Sequence, residues 1–247
     1  MQTIDITVPK GWHELTRKQL RYLYFLISEG YSSTAIKTLC LFRWSGLRVL
    51  SRKRGQFYLR MGKVEFFVTA LQIAEAITTL SWLDDIPPMP VRLEHIGWHR
   101  AVRADFQGVP FGTFIACENL YQGFLHTQNE DLLQQMATHL YGSRRIRLHK
   151  AERTSIFYWF ASLKNLLSRT FPHFLQAATA DSSANMLGTP DIGRRLQESM
   201  NAQIRALTKG DITKEKEVLA MDCWRALTEL DAIARETEEL NRKYNTK

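Results

Sequence analysis

The sequence predicts a mainly helical fold, a multi-helix bundle with a small β-hairpin in its N-terminal part. Three observations predict it. Apolar residues recur at three- and four-residue spacing through most of the chain. Capping residues and glycines interrupt those runs at helix-like lengths. One stretch, Phe57 to Val68, changes to two strand-like arms of aromatic and β-branched residues around a Gly62-Lys63 turn. With 247 residues, 45% of them apolar and 23% charged, the chain has the composition of a globular protein and length for one substantial core or two modest ones.

Ile4, Ile6 and Val8 alternate with polar neighbours, so the chain is expected to begin extended until Pro9-Lys10-Gly11 breaks the pattern. Thr16 followed by Gln19 is a capping box, in which each side chain satisfies a backbone N–H of the first turn. Leu20, Leu23, Tyr24 and Ile27 follow at helical spacing, Gly30 ends the run, and Trp12 and Leu15 are placed to staple its start. Ser32 or Ser33 caps a second helix carrying Ile36, Leu39, Cys40 and Trp44, which ends near Gly46. After the hairpin, Thr69 and Gln72 repeat the capping box, and Leu71, Ala74, Ile77 and Leu80 are expected on the buried stripe of a third helix. Pro87-Pro88-Met89-Pro90 then stiffens the backbone and denies it regular hydrogen bonding. This run divides the chain into an N-terminal unit, 1–86, and a C-terminal helical bundle, 91–247.

In the second unit, Val91 to Ile96 and His99 to Phe106 read as short strands. Helices are predicted from Phe111 to His126, from the cap Asn129 to Gly142 along Leu132, Leu133, Met136 and Leu140, and from Lys150 to Arg169. Residues Ala177 to Pro190, small, polar and broken by glycine and proline, read as a mobile loop. Asp191 caps a helix with Leu196, Met200, Ile204 and Leu207, closed by Gly210. A last helix from Lys214 to about Arg242 carries Ala220, Cys223, Leu227, Leu230 and Ala234 in four- and three-residue steps, a short coiled-coil-like seam.

The densest apolar run, Ile156 to Phe160, is interrupted by Ser162, Lys164 and Asn165, too soon to cross a bilayer of about 20 residues' thickness, and no membrane association is expected. The N-terminus lacks the basic start and apolar middle of a secretory signal. Three well-separated cysteines, Cys40, Cys117 and Cys223, read as buried thiols of a reducing compartment. No nucleophile elbow, P-loop or Gly-x-Gly-x-x-Gly occurs. His95 and His99 are four apart, but Glu94 precedes the pair and Gly97 interrupts it, so the run reads as a polar loop with aromatic packing from Trp98, not as a metal site. Asp84-Asp85 reads as a solvated turn. The chain is therefore expected to be non-enzymatic, without catalytic or metal residues, cofactor or small-molecule substrate, and to work by binding macromolecules.

Two features suggest where. The net charge of +8 is uneven: Arg43, Arg48, Arg52, Lys53, Arg54, Arg60 and Lys63 form a run without an acid, Arg144 to Arg153 holds a second basic cluster, and Asp211 to Glu239 holds nine acids against four bases. Trp44, Phe57 and Tyr58 interleave with the first run, as in a groove that holds phosphates and stacks bases; the alternative is a solvated or protein-binding face. The second feature is aromatic and apolar surface. Tyr158 and Trp159 in the string Phe157 to Phe160, with Cys223, Leu227 and Leu230 of the terminal seam, are the candidate partner-binding residues, against the alternative that they are core.

Several segments together carry a resemblance: Trp12 to Leu20, Gln107 to Phe111, Phe157 to Lys164, Phe171 to Phe174, and Met200 to Asp211. They resemble a family of phage and prophage proteins, and the opening Trp-His-Glu-Leu-Thr, Trp12 to Thr16, is similar to the start of some tail assembly chaperones. The resemblance implies a helical protein encoded among phage morphogenesis genes, cytoplasmic in the bacterial host or carried in the virion. Its partners would be other phage proteins, a tape-measure protein among them; the charge asymmetry separately allows self-association of basic body with acidic tail. Nucleic acid on the Arg43 to Lys63 run remains the alternative partner.

Overall fold

The computed structural model describes residues 6–174 and 192–245, and these are mainly α-helical with a small antiparallel three-stranded sheet near the N-terminus. Contacts group the chain into two units, one of Met1–Pro87 with His149–Ser155 and one of Pro88–Leu148 with Ile156–Lys247. The loop predicted over Ala177 to Pro190, its following cap Asp191, and Ile4 lie outside the described residues.

In the first unit, residues 6–9 join no strand, so the alternation of Ile6 and Val8 does not produce a paired element. Helix α1 (Arg17–Ser28) opens on the predicted capping box: Thr16 Oγ1 accepts from Gln19 N at 3.3 Å and Gln19 Oε1 accepts from Thr16 N at 2.9 Å. Its buried face is Leu20, Leu23, Tyr24 and Leu26. Trp12 packs there too, its ring 6.5 Å from Tyr24 and 5.6 Å from Trp82, with its indole N–H donating to the Trp82 carbonyl at 3.2 Å. Helix α2 (Ser33–Ser45) is capped by Ser32 and ends at Gly46, whose φ of 75° only glycine adopts without strain.

Strands β1 (Arg48–Lys53), β2 (Gln56–Met61) and β3 (Val64–Thr69) form an antiparallel meander. The predicted hairpin is β2 and β3; β1 is an addition that periodicity does not reveal. The reason is a bulge: Val49 faces Leu59 and Ser51 faces Tyr58, leaving Leu50 over and breaking the two-residue alternation. Its turn carries Arg54 and Gly55 at φ 48° and 81°, the left-handed pair that a tight hairpin turn requires.

Helix α3 (Ala70–Ile77) keeps its predicted capping box of Thr69 and Gln72, but of its predicted stripe only Ile77 and Leu80 are buried, and Leu71 and Ala74 are not. Three-residue steps rotate about 60° backwards each on a helix, so Leu71 lies about 120° from Ile77. Accordingly Leu71 is exposed, and the inward face is Ile73, Ala76, Ile77 and Leu80. The first turn of α6 (Lys150–Thr170) also belongs to this unit: the buried Glu152 carboxylate accepts from Arg21 and from His149 N.

The second unit contains less strand than predicted. Of the predicted stretches, only β4 (His95–Ile96) and β5 (His99–Arg100) pair as strands among the described residues, around Gly97-Trp98. The irregular backbone about them is held instead by long-range bonds, Val102 N to Leu140 O at 2.9 Å and Tyr141 OH to Leu93 O at 2.5 Å. Helix α4 (Phe111–Thr127) packs against α5 (Glu130–Leu140), α7 (Ile192–Thr208), α8 (Glu215–Ala220) and α9 (Cys223–Asn245). The core is aromatic: Phe106 is fully buried, 6.4 Å from Phe114, 6.3 Å from Trp159 and 6.2 Å from Phe160. It holds this place with φ at +62°, a left-handed backbone unusual for a bulky residue.

The terminal helix, predicted as one piece from Lys214, is two. Met221 O accepts from Phe111 N at 2.8 Å and Cys223 N donates to Val109 O at 2.8 Å. Backbone groups committed to the 109–111 segment cannot also serve a helical ladder, so α8 ends and α9 begins there.

Candidate functional site

Strand pleating sorts the side chains of the sheet. On β2, Gln56, Tyr58 and Arg60 point to one side and Phe57, Leu59 and Met61 to the other. Leu59 is fully buried, so its side is the inner one. Register then places Ser51 and Phe67 beside Tyr58, Arg48 and Glu65 beside Arg60, and Lys53 and Thr69 beside Gln56 on the outer side. The Tyr58 and Phe67 rings stack with centroids 4.6 Å apart and planes at 26°, and Phe67 is 63% exposed. Tyr58 OH donates to Glu65, a hydrogen bond that holds its hydroxyl above the ordinary tyrosine pKa. Glu65 also lies 4.0 Å from the Arg60 guanidinium.

The seven basic residues of the Arg43 to Lys63 run therefore do not form one face. Arg48, Lys53 and Arg60 belong to the outer side of the sheet, and Arg54 and Lys63 to its two turns. Arg52 lies on the inner side, opposite Phe57, with its guanidinium 5.2 Å from that ring's centroid. Arg43 is on α2, 4.4 Å from the Tyr22 ring. Among the described residues, Arg48, Lys53, Arg54 and Lys63 form no ion pair.

The five candidate partner-binding residues are placed differently. Trp159, Cys223, Leu227 and Leu230 are buried within the second unit, Trp159 also donating its indole N–H to Ala104 O at 2.9 Å. A side chain with no exposed surface meets a partner only if its unit opens. Tyr158 is half-buried, and burial raises its pKa. Exposed apolar surface lies elsewhere on this unit. Trp98, expected to pack its loop, is 88% exposed at the tip of the β4–β5 turn, with the His99 ring 5.7 Å away. Near the end of α9, Ile233, Leu240 (54% exposed) and Tyr244 (76% exposed) recur at steps of seven and four, one side of a helix.

Burial pushes the Cys40 thiol up to about 12 and those of Cys117 and Cys223 higher, so all three are protonated and unreactive at neutral pH. Asp84 is held below the usual carboxylate range by Lys37, 2.7 Å away, and by the Ser33 hydroxyl. Among the described residues, no three His, Cys, Asp or Glu side chains are grouped to hold a metal ion, and no helix is long and apolar enough to cross a membrane. Neither family models nor curated proteins nor solved structures give a match to the chain.

Sequence reasoning found the basic residues but not their arrangement on the sheet, it did not single out Phe67, and it expected Trp98 to pack where the structure exposes it. One signal was present for Phe67: Phe66 and Phe67 are adjacent in a strand, so they must point to opposite faces.

Proposed function

We propose that this chain is a non-enzymatic protein of phage or prophage assembly, a tail assembly chaperone or virion-associated structural protein that binds other phage proteins in the host cytoplasm. The supporting observation is the change of character along α9. Its first turns bury Cys223, Ala226, Leu227 and Leu230 in their own unit, while Ile233, Leu240 and Tyr244 farther on present apolar surface to solvent. These three lie roughly opposite Asp231 and Glu238, whose carboxylates are engaged with Phe174 N at 2.9 Å and His173 at 3.1 Å, because a step of two residues turns a helix by about 200°. An apolar strip on a free helix face is the element used in helix-in-groove recognition, and acids around it suit a basic partner. The resemblance of the Trp12 to Thr16 opening and of the other phage-like segments supplies the class of partner.

Co-expression with a phage tape-measure protein is the test. The soluble fraction of that protein should rise with the wild-type chain and fall back with the Leu240→Glu, Tyr244→Glu double variant, whose changes lie on exposed positions. A tape-measure protein equally insoluble with and without the wild-type chain rejects the chaperone role.

A further inference from the structure

We infer that the outer side of the β1–β2–β3 sheet is a binding platform for single-stranded nucleic acid. The argument needs only the first unit and is independent of the assembly role proposed above.

Tyr58 and Phe67 put a stacked aromatic pair on the sheet surface, with Phe67 largely in solvent, where a Phe ring gains nothing from water. Every base has a π-face, so such a pair accepts bases without regard to sequence, provided they are unstacked and unpaired. Cations bracket the pair along a strand length of about 17 Å. Arg48 and Arg60 sit beyond Tyr58 toward the Gly62-Lys63 turn, and Lys53 sits on its other side toward the Arg54-Gly55 turn. With Arg54 and Lys63 in those turns, five positive charges face one carboxylate, Glu65, which is already shared between Tyr58 and Arg60.

Two further observations favour a polyanion over a neutral or basic occupant. Arg48 and Arg60 are directly opposed across β1 and β2, a like-charge pairing that costs stability and that a phosphate between them relieves. Arg48, Lys53, Arg54 and Lys63 have no carboxylate partner among the described residues, so binding displaces no internal ion pair of theirs. A duplex hides its base faces, so it can use the cations but not the rings; the rings select the single strand.

Fluorescence anisotropy of the full chain tests this with a labelled oligothymidylate, a duplex of equal length and polyglutamate. The single strand should bind tightest, with affinity falling steeply as salt rises. Phe67→Ala, at an exposed position, should weaken the single strand about tenfold while leaving duplex binding unchanged. Arg48→Ala and Lys53→Ala should each lower the salt slope by about one, and Arg52→Ala, on the inner side, should not. Circular dichroism confirms that each variant is folded. Absence of saturable oligothymidylate binding at low salt overturns the proposal. So does duplex or polyglutamate binding as tight as the single strand, or a folded Phe67→Ala protein that binds like wild type.

Discussion

Replacing Asp222 by alanine tests how the second unit holds its terminal helix. The carboxylate does two jobs at once: one oxygen accepts from Gly108 N at 2.6 Å, and the other accepts from Arg225 N at 3.1 Å, capping α9. The flanking backbone completes a clasp, with Phe111 N on Met221 O, Cys223 N on Val109 O and the Trp224 indole donating to Asp105 O at 2.6 Å. Loss of a capping side chain costs about 1 kcal/mol. Loss of a hydrogen bond to a charged group costs about 1.5 to 3 kcal/mol, the low end applying here because this one is exposed. Asp222→Ala should therefore destabilise the unit by about 2.5 kcal/mol, and lower Tm by about 5 to 10 °C for a unit of this size. Asp222→Asn, which can still cap α9, should lose less than half of that. Urea unfolding followed by tryptophan fluorescence and by far-ultraviolet circular dichroism measures both, with Trp224 inside the clasp as a local reporter. A loss under about 0.5 kcal/mol for Asp222→Ala would refute the reasoning, since it would mean that α9 docks on its apolar face alone.

Two other outcomes follow from the groups whose ionisation the fold shifts. All three thiols should resist a disulfide-exchange reagent in the native protein at pH 8 and react together once it is unfolded, because burial holds each protonated; stoichiometric labelling of the native chain would contradict this. Asp105 is held below the ordinary carboxylate value first by Arg103, whose guanidinium donates at 2.8 and 3.1 Å, and further by Gln107 N. A depressed folded pKa means that the charged form favours the fold, so its contribution is present in full above the unfolded value of about 3.9 and is lost as pH falls through the lower folded one. The stability gap between wild type and Asp105→Asn should thus be flat above about pH 5 and shrink below about pH 4. A gap that widens on acidification would reverse the assigned sign.

What was legible in the sequence was local. The caps at Thr16, Thr69 and Asn129 and the left-handed glycines at 30, 46 and 142 each depend on residues within one turn, and all of them stand where the sequence places them. What was illegible depended on partners distant in the chain. Strand β1 lost its alternation to a bulge, and the break before Cys223 exists only because residues 109–111, more than a hundred positions away, take up its backbone groups. The basic run shows the same limit, since charge can be counted from sequence, but only the register of three strands separates Arg48, Lys53 and Arg60 from Arg52. Likewise, spacing placed Cys223, Leu227 and Leu230 on one helical side without saying whether that side met solvent or its own unit.

Phe106 carries a consequence for how this polypeptide tolerates change. A glycine there would relax a torsion that costs about 1 to 2 kcal/mol in an L-residue, yet it would hollow out a contact among three rings worth about 3 to 5 kcal/mol. An asparagine would suit the torsion but bring an amide into a place sealed from water. Neither the backbone nor the cavity can be satisfied without offending the other, so random substitution at this one codon should return almost nothing but the original ring, however permissive the surface around it proves to be.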